Sequence, residues 1–212
     1  MIFKNIGKLL ICIGIIFFNS FYTFSQSPED YYIRGNDKLS SKDFIGAILE
    51  YDKAIELFPA SALYYTNRGL AKYNLKNYYD AIKDYNKAIE FDDKFGYAYN
   101  NRGLAKIEIL DYKGALIDFS KAIELDPSLE YAYNNRGYLK YKLNDYKGAL
   151  EDINISIRKK NDNSYAFKNR ALVYIKLNKI SDACSDLKSA QNLGFTKRYG
   201  NEVDVLINKY CK

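Results

Sequence analysis

Histidine and tryptophan are both absent from this 212-residue sequence, methionine occurs once, proline three times and cysteine three times. Without histidine there is no Ser–His or Cys–His nucleophile pair, and both the commonest general base and the commonest metal ligand are missing. Three cysteines and no histidine leave nothing from which to build a metal site, so neither metal nor cofactor is expected. Catalysis would have to rest on carboxylates, lysines or tyrosines alone. Charge of one sign is also scarce. The net charge is +6, and two of those charges, Lys4 and Lys8, lie in a segment expected to be removed. So small a surplus, with acids interspersed throughout, is not the footprint of a nucleic-acid binder. What is present is 48% hydrophobic residues, 27% charged residues and 22 tyrosines, a composition that excludes a disordered chain.

The tyrosines are explained by a repeat. Tyr99-Asn100-Asn101-Arg102-Gly103 returns as Tyr65-Thr66-Asn67-Arg68-Gly69, as Tyr133-Asn134-Asn135-Arg136-Gly137 and as Phe167-Lys168-Asn169-Arg170-Ala171. A weaker copy, Tyr31-Tyr32-Ile33-Arg34-Gly35, stands one step upstream. The step is 34 residues each time, so one supersecondary unit is stacked five times and the core extends along an axis. Apolar periodicity divides each unit into two helices. Asp43, Asn77, Asp111 and Asp145 are N-cap candidates for the second helix, and Asn144 and Asn178 suit a left-handed residue in the turn before it. Ser27-Pro28-Glu29-Asp30 reads as the start of the first helix.

Residues 1 to 25 read as an export signal. Lys4 and Lys8 precede ten unbroken apolar residues, Leu9 to Phe18, and Thr23-Phe24-Ser25 offers a cleavage site after Ser25. The alternative is an uncleaved membrane anchor, although ten apolar residues are short for a span of about 20. Leu9-Leu10-Ile11-Cys12 faintly resembles a lipobox, but Ile11 is bulky for the position before the cysteine. The expected location is therefore outside the cytoplasm, periplasmic or secreted, with membrane association only if the segment is retained.

Aligned on these positions, the units resemble the tetratricopeptide repeat. The small residue eight positions into the unit is Gly35, Gly69, Gly103, Gly137 and Ala171, and the alanine twelve further on is Ala47, Ala81, Ala115, Ala149 and Ala183. Tyr51, Tyr85, Phe119, Ile153 and Leu187 follow four residues later, then Ala54, Ala88, Ala122, Ser156 and Ala190. The closing proline survives as Pro59 and Pro127 and is replaced by Asp93 and Asn161 elsewhere. The resemblance implies an all-α fold, an α-solenoid of five helical hairpins (residues 28–61, 62–95, 96–129, 130–163 and 164–197) with a C-terminal capping helix in residues 198–212. It implies a non-enzymatic scaffold for protein–protein interaction whose concave groove takes an extended peptide or a partner protein, with no nucleic acid and no small-molecule substrate. The alternative is a structural part of a cell-envelope assembly that uses the edges or the convex face. A hydrolase with paired carboxylates fits poorly, because the acids recur in every unit and an active site should appear once.

Two polar registers carry the site expectations. Arg34, Arg68, Arg102, Arg136 and Arg170 are each followed sixteen residues later by an acid, Glu50, Asp84, Asp118, Asp152 and Asp186. A partly buried arginine demands a partner, so ion pairs within each hairpin are expected, with phosphate or carboxylate binding as the alternative. The second register is Asn67, Asn101, Asn135 and Asn169, which the resemblance places in the groove. A carboxamide offers donors and an acceptor to any peptide main chain; the competing expectation is a hydrogen bond to the neighbouring unit. The same carry-over adds Asn36, Asn100, Leu104, Asn134, Tyr138, Tyr73 and Tyr141. Lys142, Lys168 and Lys176 gather toward the C-terminal end, where an acidic ligand segment would be preferred. The family's carboxylate clamp is not reproduced, since Tyr32 and Tyr165 stand where lysines are needed. Val203, Leu206 and Ile207 share one face of the capping stretch Glu202 to Tyr210. Cys184 and Cys211 are the two thiols left in an exported chain, which favours a disulfide over free thiols or a link between copies.

Overall fold

A computed structural model describes residues 27–211; residues 1–26, with the expected export signal and Cys12, and Lys212 lie outside the described residues. Ten helices form five successive hairpins: α1 (Pro28–Ser40) with α2 (Phe44–Leu57), α3 (Ala62–Asn74) with α4 (Tyr78–Phe91), α5 (Gly96–Glu108) with α6 (Tyr112–Leu125), α7 (Glu130–Lys142) with α8 (Tyr146–Lys159), and α9 (Ser164–Lys176) with α10 (Ile180–Asn192). Two short helices close the chain, α11 (Phe195–Tyr199) and α12 (Glu202–Tyr210). The first helices of adjacent units touch one another while the second helices fan outward, so α1, α3, α5, α7 and α9 line the concave side of a solenoid.

Local chemistry sets the helix ends. Ser27 caps α1 in a reciprocal capping box with Asp30, with proline at the first helical position. Asp43, Asp111 and Asp145 accept hydrogen bonds from the backbone N–H of Gly46, Gly114 and Gly148. Asn77 occupies the same N-cap position, but its side chain makes no cap bond, which corrects its expected role. The turn inside each hairpin needs one left-handed residue, and this is Lys42, Lys76, Leu110, Asn144 and Asn178 in turn. Only two of the five are the asparagines that favour such a backbone; at the others the packed hairpin overrides residue preference.

Each hairpin closes on a small residue. An added Cβ on Gly103 would meet Phe119 Cε1 at 2.8 Å and Cδ1 at 3.0 Å, and Phe119 is fully buried. Gly35 and Gly69 face Tyr51 and Tyr85 in the same way, Gly137 faces Ile153, and in the fifth unit Ala171 stands opposite the smaller Leu187. Gly103→Ala is therefore expected to lower stability by about 1–3 kcal/mol from overpacking, against a helix-propensity gain of at most about 1 kcal/mol. Adding Phe119→Leu, the pairing the fifth unit already uses, should recover most of that loss. Urea titrations of the two variants decide it, and a Gly103→Ala protein more stable than the parent would show that the glycine is not there for close approach.

At the C-terminal end Ala171, Ala183, Leu187, Ala190, Phe195 and Val203 form one buried cluster, with Leu206 and Ile207 packed against it. Gly194, with φ +79°, follows α10 and turns the chain into the separate α11, which begins at Phe195 within the expected fifth unit (residues 164–197). Cys184 of α10 and Cys211 at the end of α12 are joined by a disulfide, with Cα atoms 5.6 Å apart.

Candidate functional site

The concave side holds a cavity of about 490 Å³ lined by Tyr73 of α3, Leu104 of α5, Tyr131, Asn134, Asn135 and Tyr138 of α7, and Tyr165, Lys168 and Asn169 of α9, with Asn163 at the α9 N-cap. Four units contribute because the solenoid curves, bringing Tyr165 near enough to Tyr73 to influence its ionisation. Burial, and then the Glu108 carboxylate beside it, push the Tyr73 hydroxyl up to about 12. Burial also raises Tyr131, whose hydroxyl is itself buried.

Of the residues expected in the groove, Tyr73, Asn134, Asn135, Lys168 and Asn169 meet at this cavity, as do Leu104 and Tyr138. Asn67, Asn100, Asn101, Tyr141, Lys142 and Lys176 do not line it. Tyr141 packs between Tyr138 and Tyr146, and Lys142 and Lys176 are exposed. The three lysines thus do not form one basic patch. Tyr131, Asn163 and Tyr165 are lining residues that periodicity alone did not single out, because they sit at helix starts where curvature, not register, decides what faces inward.

The asparagine register is largely engaged within the protein. Asn169 Nδ2 donates to Asn134 Oδ1 and Asn135 Nδ2 to Asn100 Oδ1, each at 3.0 Å across one unit boundary. Asn67 Nδ2 reaches Asn36 Oδ1 at 3.0 Å and the Tyr32 hydroxyl at 3.2 Å, while Asn101 accepts from its neighbour Asn100. The donors of Asn67, Asn135 and Asn169 are spent on holding adjacent units together. The acceptor side remains: Asn169 Oδ1 is buried and has no hydrogen-bond partner among the described residues.

The arginines sit outside this cavity. Arg68, Arg102, Arg136 and Arg170 each form a two-pronged contact with Asp84, Asp118, Asp152 and Asp186, at 2.6–2.9 Å, and Arg34 Nε donates to Glu50 at 2.9 Å. Their remaining nitrogens reach back to the second helix of the preceding unit, at Asp52, Asn86, Ser120 and Asn154. Each guanidinium also lies over the ring three residues before it, Tyr31, Tyr65, Tyr99, Tyr133 or Phe167. A third member was overlooked in the sequence: Lys72, Lys106 and Lys140 bind Asp84, Asp118 and Asp152 at 2.7–2.8 Å. The signal was there, a lysine four residues after the arginine in four consecutive units, although Lys38 of the first unit pairs with Asp43 instead. With every prong engaged internally, these clusters brace the hairpins and offer no open anion site.

Among the described residues no group of three acidic or thiol side chains is arranged to hold a metal ion, and no helix is long and apolar enough to cross a membrane. Comparison with known proteins places the repeat: residues 62–95 and residues 96–129 each match a family model described as tetratricopeptide repeat. No curated protein matches the chain significantly. Among solved structures, MamA is 24% identical over 80% of this chain and 93% of its own, with a TM-score of 0.63. YrrB, described as a TPR protein with an unusual peptide-binding site, is 20% identical over 87% and 93%, with a TM-score of 0.60. The first such domain of Spaghetti (RPAP3), solved with the HSP90 peptide SRMEEVD, is 27% identical over 56% and 94%, with a TM-score of 0.54.

Proposed function

Because this chain is a tetratricopeptide repeat protein, we propose that it is a non-catalytic scaffold that binds an extended peptide segment of a partner protein along its concave face. One observation carries the reading: a cavity to which four successive units contribute, walled by tyrosine rings and carboxamides, on the side where the first helices converge. Preformed helices lose little entropy on binding, rings supply contact area, and amide groups meet a peptide main chain whatever its side chains. The bound peptide of the Spaghetti (RPAP3) domain and the description of YrrB support the same mode for this chain. A histidine-free sequence supports the absence of catalysis, and its balanced charge supports a protein partner over nucleic acid. Export belongs to the same proposal, supported by the N-terminal apolar segment and by a disulfide that suits an oxidising compartment.

The grip differs from the asparagine ladder expected from sequence, since those donors hold neighbouring units. The test therefore spares them. Peptides selected from a random phage-displayed library by the parent protein are expected to lose binding to Leu104→Ala with Tyr138→Ala, once circular dichroism shows the variant folded. Retention by the folded variant overturns the groove reading. It would instead favour the outer face, where Ile117 is exposed beside a shallow hollow lined by Leu116 and Ser120.

A further inference from the structure

The register that reads Tyr32, Thr66, Asn100, Asn134 and Lys168 at the 34-residue step changes character once, from neutral side chains to a cation. Lys168 is 6% exposed and lines the groove cavity as its one charged wall residue. Its ammonium lies 5.5–5.9 Å from the ring centroids of Tyr138, Tyr165 and Phe195. An ammonium has three donors, and so deep a site demands anionic or carbonyl acceptors for them. The carboxylate it has is Glu202, the first residue of α12, at 3.3 Å. That contact is longer than the 2.7–2.8 Å of the Lys72, Lys106 and Lys140 pairs, and Glu202 is 54% exposed on its side chain where their aspartates are buried. The pair is loose, half in water and made by a residue from the cap, not from the groove itself.

We propose that Glu202 is an internal stand-in for a ligand carboxylate: the groove is built for a segment bearing a carboxylate, which binds Lys168 by displacing Glu202. The inference rests on the groove reading above. Asn169 lines the same cavity, and its Oδ1 is a buried acceptor with no partner among the described residues. A peptide supplies what both groups lack, an N–H for the carboxamide and an acid for the lysine. A cationic or purely apolar ligand would leave the buried ammonium no better paired than it is now. The capping helix carrying Glu202 is tied to α10 by the Cys184–Cys211 bridge and packs its neighbour Tyr199 on Tyr165. The competitor is thus held at the mouth of the subsite, weakening every acid that enters and setting a threshold for partners.

Fluorescence anisotropy on paired eight-residue synthetic peptides tests this, each Asp- or Glu-containing member against its Asn or Gln counterpart, with free and amidated C-termini as separate arms to tell side-chain from terminal carboxylates. Acidic members are expected to bind about tenfold tighter than their amide twins, the order of a charge-assisted contact off water. Glu202→Gln should tighten the acidic members alone, by roughly threefold to fivefold, the range of one half-exposed ion pair. Lys168→Met should erase the acid preference and Lys168→Arg keep it. Equal binding of acid and amide twins, or an unchanged acid affinity in Glu202→Gln, overturns the inference and leaves the groove reading standing. Absence of binding by every peptide of the set overturns both. Should Lys168→Met fail to fold, the Glu202→Gln series still decides, because it alters only a half-exposed side chain.

Discussion

Asp118→Leu is expected to lower the unfolding free energy by about 3–5 kcal/mol, the cost of stripping buried cations of their partner. Asp118 is 1% exposed and holds Arg102 through two hydrogen bonds, 2.9 and 2.7 Å, and Lys106 at 2.8 Å. Both cations are themselves mostly covered, so the substitution leaves two charges off water with only Asn86 to meet one of them. A reading from sequence alone would pair Arg102→Met with Asp118→Leu and expect recovery. The structure makes the opposite outcome expected, a double variant that stays damaged, because Lys106 remains, a covered ammonium facing leucine. The variant expected to recover is Arg102→Met, Lys106→Met and Asp118→Leu together, since an apolar trio of similar volume needs no compensation. Urea unfolding followed by far-ultraviolet circular dichroism measures both. A triple variant as unstable as Asp118→Leu alone would mean that the cost comes from lost shape, not unpaired charge.

Replacing Cys184 and Cys211 by serine is expected to cost about 3–4 kcal/mol, most of it felt at the C-terminal end. The bridge closes a loop with a sequence separation of 27 and anchors α12, whose Val203 joins Ala183 and Leu187 in the buried cluster. A solenoid is stabilised by nearest-neighbour contacts, so the loss should not spread evenly. Amide hydrogen exchange should quicken first in α10 to α12, with α3 to α6 protected until global unfolding. Uniform acceleration along the chain, or no change in stability, would show that the bridge is not what holds the cap. The same variant bears on binding, because Glu202 rides on α12.

The repetition explains why so much was readable and where reading stopped. Period, hairpin pattern and the Gly-to-aromatic pairing follow from requirements imposed at every unit, so each is written several times. The Arg68–Asp84 spacing of sixteen residues is of this kind, as is the lysine four residues later, which was present and unread. The direction of the asparagines was not legible: a carboxamide serves a ligand or a neighbouring unit equally well, and only the inter-unit distance makes Asn134 the partner of Asn169.

By itself, then, the sequence determined the class of fold, the succession of hairpins, the aspartate caps and the acid–arginine registers, because these depend on spacing within one or two units. Tertiary structure decided the site. Tyr73 and Tyr165 come to line one cavity, and Lys168 finds Glu202, through small rotations accumulated over several units and through a cap that folds back on the fifth. Such sums are not encoded at any single position, which is why the cavity and its internal competitor emerge only in three dimensions.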